Sequence, residues 1–290
     1  MSLRLPLTVK ELRHIYDSGG NVVAALRSAA GTDHNDEDMI QASYELQAES
    51  YVAAIKAGQY PSTVQASFDK FARLFDELRP FSLLEAGVGE ATTLMNVVSR
   101  MAHRPAHALG FDISLARILW GLAYAHEFEV APPTLFTATL SHIPLADDSI
   151  DVVYTSHSIE PNGGREEELL RELHRVTGRY LVLREPSDEL GSEATRARIA
   201  QHGYVRGVFA CCQRLGYDVV RHELWEHDPN PSNQAALIVV RKRSTWRTQQ
   251  ASAHRCGGRL VLRGPKTGFP ATRRGPACLN QAFFAARYLN

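Results

Sequence analysis

From Ser82 to Arg241 the chain alternates short apolar runs with segments of helical periodicity, and this alternation restricts the fold more than any other feature. The apolar runs are Ser82 to Ala86, Ala108 to Asp112, Thr134 to Thr139, Ile150 to Ser156, Tyr180 to Arg184, Asp218 to Leu224 and Ala235 to Arg241. Helical stretches fall between them at Thr92 to Met101, Leu115 to Glu127, Arg165 to Val176 and, in two pieces, Ala194 to Arg214. Such alternation builds βαβ units, so the predicted fold is α/β, a doubly wound and mostly parallel seven-stranded sheet covered on both faces. Only the turn-like His227-Asp228-Pro229-Asn230-Pro231 separates the last two runs, which predicts an antiparallel hairpin at one edge.

Ahead of the sheet, Val9 to Tyr16, Val22 to Ser28, Asp36 to Ala57 and Val64 to Leu78 have spacing near the 3.6-residue period. The expected organisation is an N-terminal helical cap over 1–79, the sheet domain over 80–243 and a C-terminal tail over 244–290. Formal charge is zero over 290 residues, but the balance is a split: residues 1–240 hold 21 Lys and Arg against 32 Asp and Glu, and residues 241–290 hold 11 and none. The basic tail ends in Phe283, Phe284, Tyr288 and Leu289, so docking on the acidic body is expected rather than the nucleic-acid arm that its Arg-rich, Gly/Pro-rich text also suggests. An apolar fraction of 44% excludes a disordered chain. No apolar run approaches the ~20 residues of a membrane helix and Met1 to Leu7 lacks signal-peptide character, so a cytoplasmic protein without membrane contact is expected.

Chemistry concentrates in Leu83-Leu84-Glu85-Ala86-Gly87-Val88-Gly89-Glu90-Ala91-Thr92: an apolar strand, an acid at its end, two glycines, then a helix. Glycines at 87 and 89 permit a tight turn and close approach of a ligand at the carboxyl edge of the sheet. A dinucleotide fingerprint would need a third glycine where Thr92 stands, and Glu85 and Glu90 would repel a pyrophosphate, which favours a ligand with a positive end. Asp112 ends the next strand, where a carboxylate accepts the hydroxyls of a ribose.

These residues resemble the class I S-adenosylmethionine-dependent methyltransferases. Glu85 to Ala91 is similar to the family's acidic, glycine-rich loop, with Ala91 in place of the last glycine. Gly110 to Ser114 is similar to the ribose-binding strand end, and Pro144 to Val153 to the lead into the fourth strand. The resemblance implies S-adenosylmethionine as cofactor, contacted by Glu85, Ala86, Gly87, Gly89, Asp112, Ile113, Thr139, Leu140 and Thr155. It departs at Thr137-Ala138-Thr139-Leu140, where many members carry an acid for the adenine amino group. The tail, with Cys256 and Cys278, resembles a degenerate zinc-ribbon-like appendage of some bacterial methyltransferases, without the ligands for zinc.

Methyl transfer to a hydroxyl or ammonium acceptor needs a base, expected just beyond the fourth strand. His157, with an ordinary pKa of about 6.5, is the first candidate and Glu160 the second. A histidine there that only bonds its neighbouring loop is the competing reading. Glu160-Pro161-Asn162-Gly163-Gly164 is either a turn facing the substrate, with Asn162 as a contact, or an ordinary turn. Gln47 and Tyr51, spaced i, i+4 on one predicted helix, are either a lid over the site or core. His222, His227, Cys211, Cys212, His254 and Cys256 lack metal-site spacing, so no metal is expected. The expected activity is methyl transfer to an O or N atom of a small molecule, a sugar or secondary metabolite. The alternatives are an RNA or protein methyltransferase using the tail and a non-catalytic cofactor-binding scaffold.

Overall fold

The computed structural model describes residues 5–226 and 228–242. Three short helices, α1 (Val9–Asp17), α2 (Val22–Ala30) and α3 (Glu37–Leu46), begin at Thr8, Asn21 and Asp36, whose side chains each accept a backbone N–H of the first turn. They share a small core of Leu12, Val22, Leu26, Met39 and Ala42. Next come α4 (Ser50–Lys56) and α5 (Ser62–Leu78). The single helix predicted over Asp36 to Ala57 is broken: Glu49 has φ 82°, in the left-handed region, and α3 and α4 are separate. Gln47 and Tyr51 therefore do not share a helix face.

The sheet strands and their helices follow as β1 (Ser82–Ala86), α6 (Thr92–Arg100), β2 (His107–Asp112), α7 (Leu115–Ala125), β3 (Thr134–Thr137), β4 (Ile150–Ser156), α8 (Glu166–Val176) and β5 (Thr177–Pro186). The chain continues through α9 (Glu193–His202), α10 (Val208–Arg214), β6 (Asp218–Leu224) and β7 (Ala235–Arg241). The order across the sheet is β3-β2-β1-β4-β5-β7-β6. Pairings are parallel from β3 through β5 and antiparallel on both sides of β7, so the predicted edge hairpin is present with β6 outermost. The third strand stops at Thr137, two residues early, and Thr139 instead bridges back to His142, whose N–H donates to its carbonyl.

Strand residues alternate between two cores, as the pleat requires. Leu83, Val152, Tyr154, Val182 and Leu237 face one layer with α5, α6 and α7, while Leu84, Val153, Leu181 and Ile238 face α8 and α10. Because β7 runs against β5, β6 runs with it, and the β6–β7 loop returns to the edge where the parallel strands end. That edge is where doubly wound sheets bind ligands. Among the described residues no helix is long and apolar enough to cross a membrane. The basic tail of 244–290, with its expected docking and its zinc-ribbon resemblance, lies outside the described residues, as do His227, His254 and Cys256.

Candidate active site

The carboxyl ends of β1, β2 and β4, the β6–β7 loop and the N-terminal helices enclose a cavity of about 620 Å³, within the size of small-molecule sites. Glu85, Gly87, Gly89, Asp112, Ile113, Thr139, Leu140, His157, Glu160, Asn162 and Tyr51 all line it. Ala86 and Thr155 are buried behind its wall, and the Gln47 amide donates to the Ser43 hydroxyl at 3.0 Å and does not reach the cavity.

The glycine loop is shaped by crowding as well as by backbone angle. Gly87 and Gly89 have φ 73° and 54°, a region glycine enters without steric cost. A Cβ on Gly87 would collide with the Ser158 side chain, and one on Gly89 would come within 2.9 Å of Arg117 Nη2. Ser158 closes the loop by donating its hydroxyl to the Ala86 carbonyl at 2.6 Å. Asp112 braces it from the next strand, accepting the Gly89 N–H and the Ser114 N–H at 2.9 Å each.

The charge of this loop differs from the sequence expectation. Burial pushes the Glu85 carboxyl up to about 8, against the lowering effect of the Tyr154 hydroxyl that donates to it at 2.8 Å. Glu90, likewise raised by burial, accepts the Val52 N–H at 2.7 Å and lies 3.8 Å from Arg117 Nε. Arg117, which sequence reasoning missed, is buried between Glu90 and the Tyr44 and Tyr51 rings, its guanidinium 5.0 and 4.8 Å from their centroids. The loop therefore combines a neutral Glu85 with a Glu90–Arg117 pair. Glu90 Oε1 and Arg117 Nε are buried there with no hydrogen-bond partner.

At the end of β4, His157 has φ 56°, a left-handed conformation that costs a non-glycine residue energy and concentrates at functional sites. Its N–H donates to the Arg184 carbonyl at 2.9 Å, which fixes the turn. Nδ1 lies 2.8 Å from Glu160, and Nε2 lies 3.6 Å from Asp228, which itself pairs with Arg184. Burial and the Arg184 charge oppose the imidazolium, but hydrogen bonding to Asp228 and Glu160 outweighs them and raises the pKa to about 9. The ordinary value of about 6.5 expected for His157 is thus corrected upward. Asp228 and Asn233 sit on the β6–β7 loop, and the sequence marked that stretch only as a turn.

The N-terminal helices are tied to this wall. The Asn35 amide donates to the Pro161 carbonyl at 2.8 Å, and Arg27 donates to the Gln201 and His202 carbonyls at 2.8 Å each. Arg165 pairs with Glu37 at 3.0 Å, and Glu37 also accepts the Ser141 hydroxyl at 2.6 Å.

Residues 84–179, which span β1 to the start of β5, match the family model of a methyltransferase domain. This stretch is a methyltransferase domain. The methyltransferase fold is shared with magnesium protoporphyrin IX methyltransferase from Synechocystis, solved with S-adenosylhomocysteine bound. That structure is 14% identical with a TM-score of 0.55, over 71% of this chain and 100% of that one. A SAM-dependent methyltransferase from Aquifex aeolicus is similar over 65% of this chain and 97% of its own, at 14% identity and a TM-score of 0.47. No curated protein sequence matches this chain.

Proposed function

We propose that this methyltransferase moves the methyl group of S-adenosylmethionine to an O or N atom of a small molecule, a sugar or secondary metabolite, with His157 as the base and Glu160 as its partner. The observation that carries this reading is the His157–Glu160 pair, 2.8 Å apart on a strained strand end, in the cavity that the glycine loop and Asp112 also line.

The residues fit the cofactor. Asp112, braced at the strand end, offers its remaining lone pairs to ribose hydroxyls, and Ile113, Thr139 and Leu140 flank an adenine. Glu85, with Glu90 Oε1 and Arg117 Nε, which face each other at 3.8 Å without a hydrogen bond, suits a ligand end bearing both an ammonium and a carboxylate. Ala86, Gly87, Gly89 and Thr155 shape this lobe from below. Bound there, the cofactor supplies an electrophilic methyl on a sulfonium. The chain has to align the acceptor and take its proton. His157 Nε2 receives the proton from the acceptor O–H or N–H, and the imidazolium formed is stabilised by Glu160 and Asp228. Tyr51, stacked with Arg117, and Asn162, at the base of the turn, exclude water and contact the acceptor.

Incubating the protein with metabolite extracts and isotopically labelled S-adenosylmethionine, followed by mass analysis of labelled products, tests this reading. A labelled small molecule is expected. Label entering only RNA or protein, or none entering any acceptor, would overturn it.

A further inference from the structure

Among the described residues, three arginines line the cavity: Arg117, Arg184 and Arg198. Arg117 faces Glu90, and Arg184 is paired with Asp228. Arg198, on α9, differs from both, for among the described residues no carboxylate lies within ion-pair distance of it. Its Nε is buried without a hydrogen-bond partner, and its guanidinium lies 5.9 Å from the Tyr204 ring centroid, with the Tyr204 hydroxyl and His202 as neighbours. A buried N–H without an acceptor is costly. The free Nε and the adjoining Nη form a fork matched to two oxygens of one planar or tetrahedral oxyanion.

The acids nearby are already engaged. Glu160 is held by His157, Asp228 by Arg184, and Glu37 by Arg165. Arg198 is also far in sequence from the glycine loop, on the excursion between β5 and β6 that walls the side of the cavity beside Glu160. A ligand filling both lobes would meet it with the end remote from the cofactor.

Building on the methyl-transfer reading above, we propose that Arg198 is a substrate-binding residue and that the acceptor carries an oxyanion, a carboxylate or a phosphate, which Arg198 clamps while a separate O–H or N–H is presented to His157. The proposal restricts the acceptor class: neutral sugars and uncharged metabolites leave the guanidinium unpaired and bind weakly.

The test separates the metabolite extract on an anion-exchange resin and offers each fraction with labelled S-adenosylmethionine to the full-length protein. Labelled product is expected from the retained fraction, and prior phosphatase treatment tells a phosphate, whose product is then lost, from a carboxylate, whose product persists. With that acceptor, Arg198→Gln is expected to raise KM about 10- to 100-fold with a smaller change in kcat. Arg198→Lys should recover part of the loss, and S-adenosylhomocysteine affinity by calorimetry should match the parent in both variants. Product arising only from the unretained fraction, or an unchanged KM in a folded Arg198→Gln protein, would overturn the oxyanion clamp and leave the methyl-transfer reading standing. Transfer from neither fraction would remove both.

Discussion

His157 holds a proton between opposing influences, and the pH at which it releases that proton is the most direct probe of its role. Its folded pKa of about 9 places the basic form on the alkaline side, so turnover is expected to rise with pH through a limb near 9 rather than near 6.5. Asp228→Asn removes one of the two acids facing the ring, and the limb should move to lower pH. His157→Gln should cut kcat about 10²- to 10⁴-fold while S-adenosylhomocysteine affinity changes little; full turnover by that variant would exclude the base assignment. At the other lobe, Asp112→Ala should weaken cofactor binding by about 1.5–3 kcal/mol, measured calorimetrically, since a charge-assisted contact and the brace on Gly89 are lost together. Gly87, Gly89 and Asp112 were legible because each stands at a strand end that periodicity locates. Arg117, Asp228 and Arg198 were not. Their meaning depends on which groups the fold brings beside them, and no spacing along the chain records that Arg117 meets Gly89 or that Asp228 meets His157.

Among the elements, α5 couples the N-terminal helices to the sheet. Phe71 and Phe75 lie 5.5 and 4.9 Å, ring centre to ring centre, from Tyr154 on β4, and Phe71 also packs 4.8 Å from Trp225. All four rings are buried in one core. Phe75→Ala should cost about 3–5 kcal/mol, read as a lower urea midpoint at constant slope. The same variant should loosen the site, because the Tyr154 hydroxyl that holds Glu85 is on the ring that Phe75 supports. Strand and helix positions, and the antiparallel edge hairpin, could be read from the sequence because alternation, period and turn residues are local signals. The break between α3 and α4 could not. The periodicity runs on through residues 46–52, and the group that starts α4 is distant: Glu90 accepts the Val52 N–H, serving as an N-terminal cap supplied from another part of the fold. A cap that arrives through tertiary packing leaves no mark in the helix's own residues.

For the molecule as a whole, buried groups keep protons that the unfolded chain releases sooner, among them Glu185, raised by burial to about 7, Glu85, raised by burial to about 8, and His157, raised to about 9. Where the folded state binds more protons, stability falls as pH rises. For the two acids this window opens near the ordinary glutamate value of 4.5 and closes at about 7 and 8; for His157 it opens near 6.5 and closes at about 9. The melting temperature is therefore expected to decline from pH 5 to pH 9, and Glu185→Gln should flatten the decline below pH 7, checked by calorimetric scans across that range. At the same scale, ending the chain after Arg243 is expected to lower the melting temperature, as docking of a segment of charge +8 on a body of −8 requires. Unchanged melting together with lost RNA binding at physiological salt would favour the nucleic-acid reading of the tail. The bonds from Arg27 and Asn35 to the cavity wall end on main-chain oxygens of Pro161, Gln201 and His202. A latch that grips peptide groups is indifferent to the side chains beside it. Side chains beside those oxygens can therefore change under selection for new acceptors without loosening these bonds, whereas the Arg165–Glu37 and Ser141–Glu37 ties hold only while those side chains are kept.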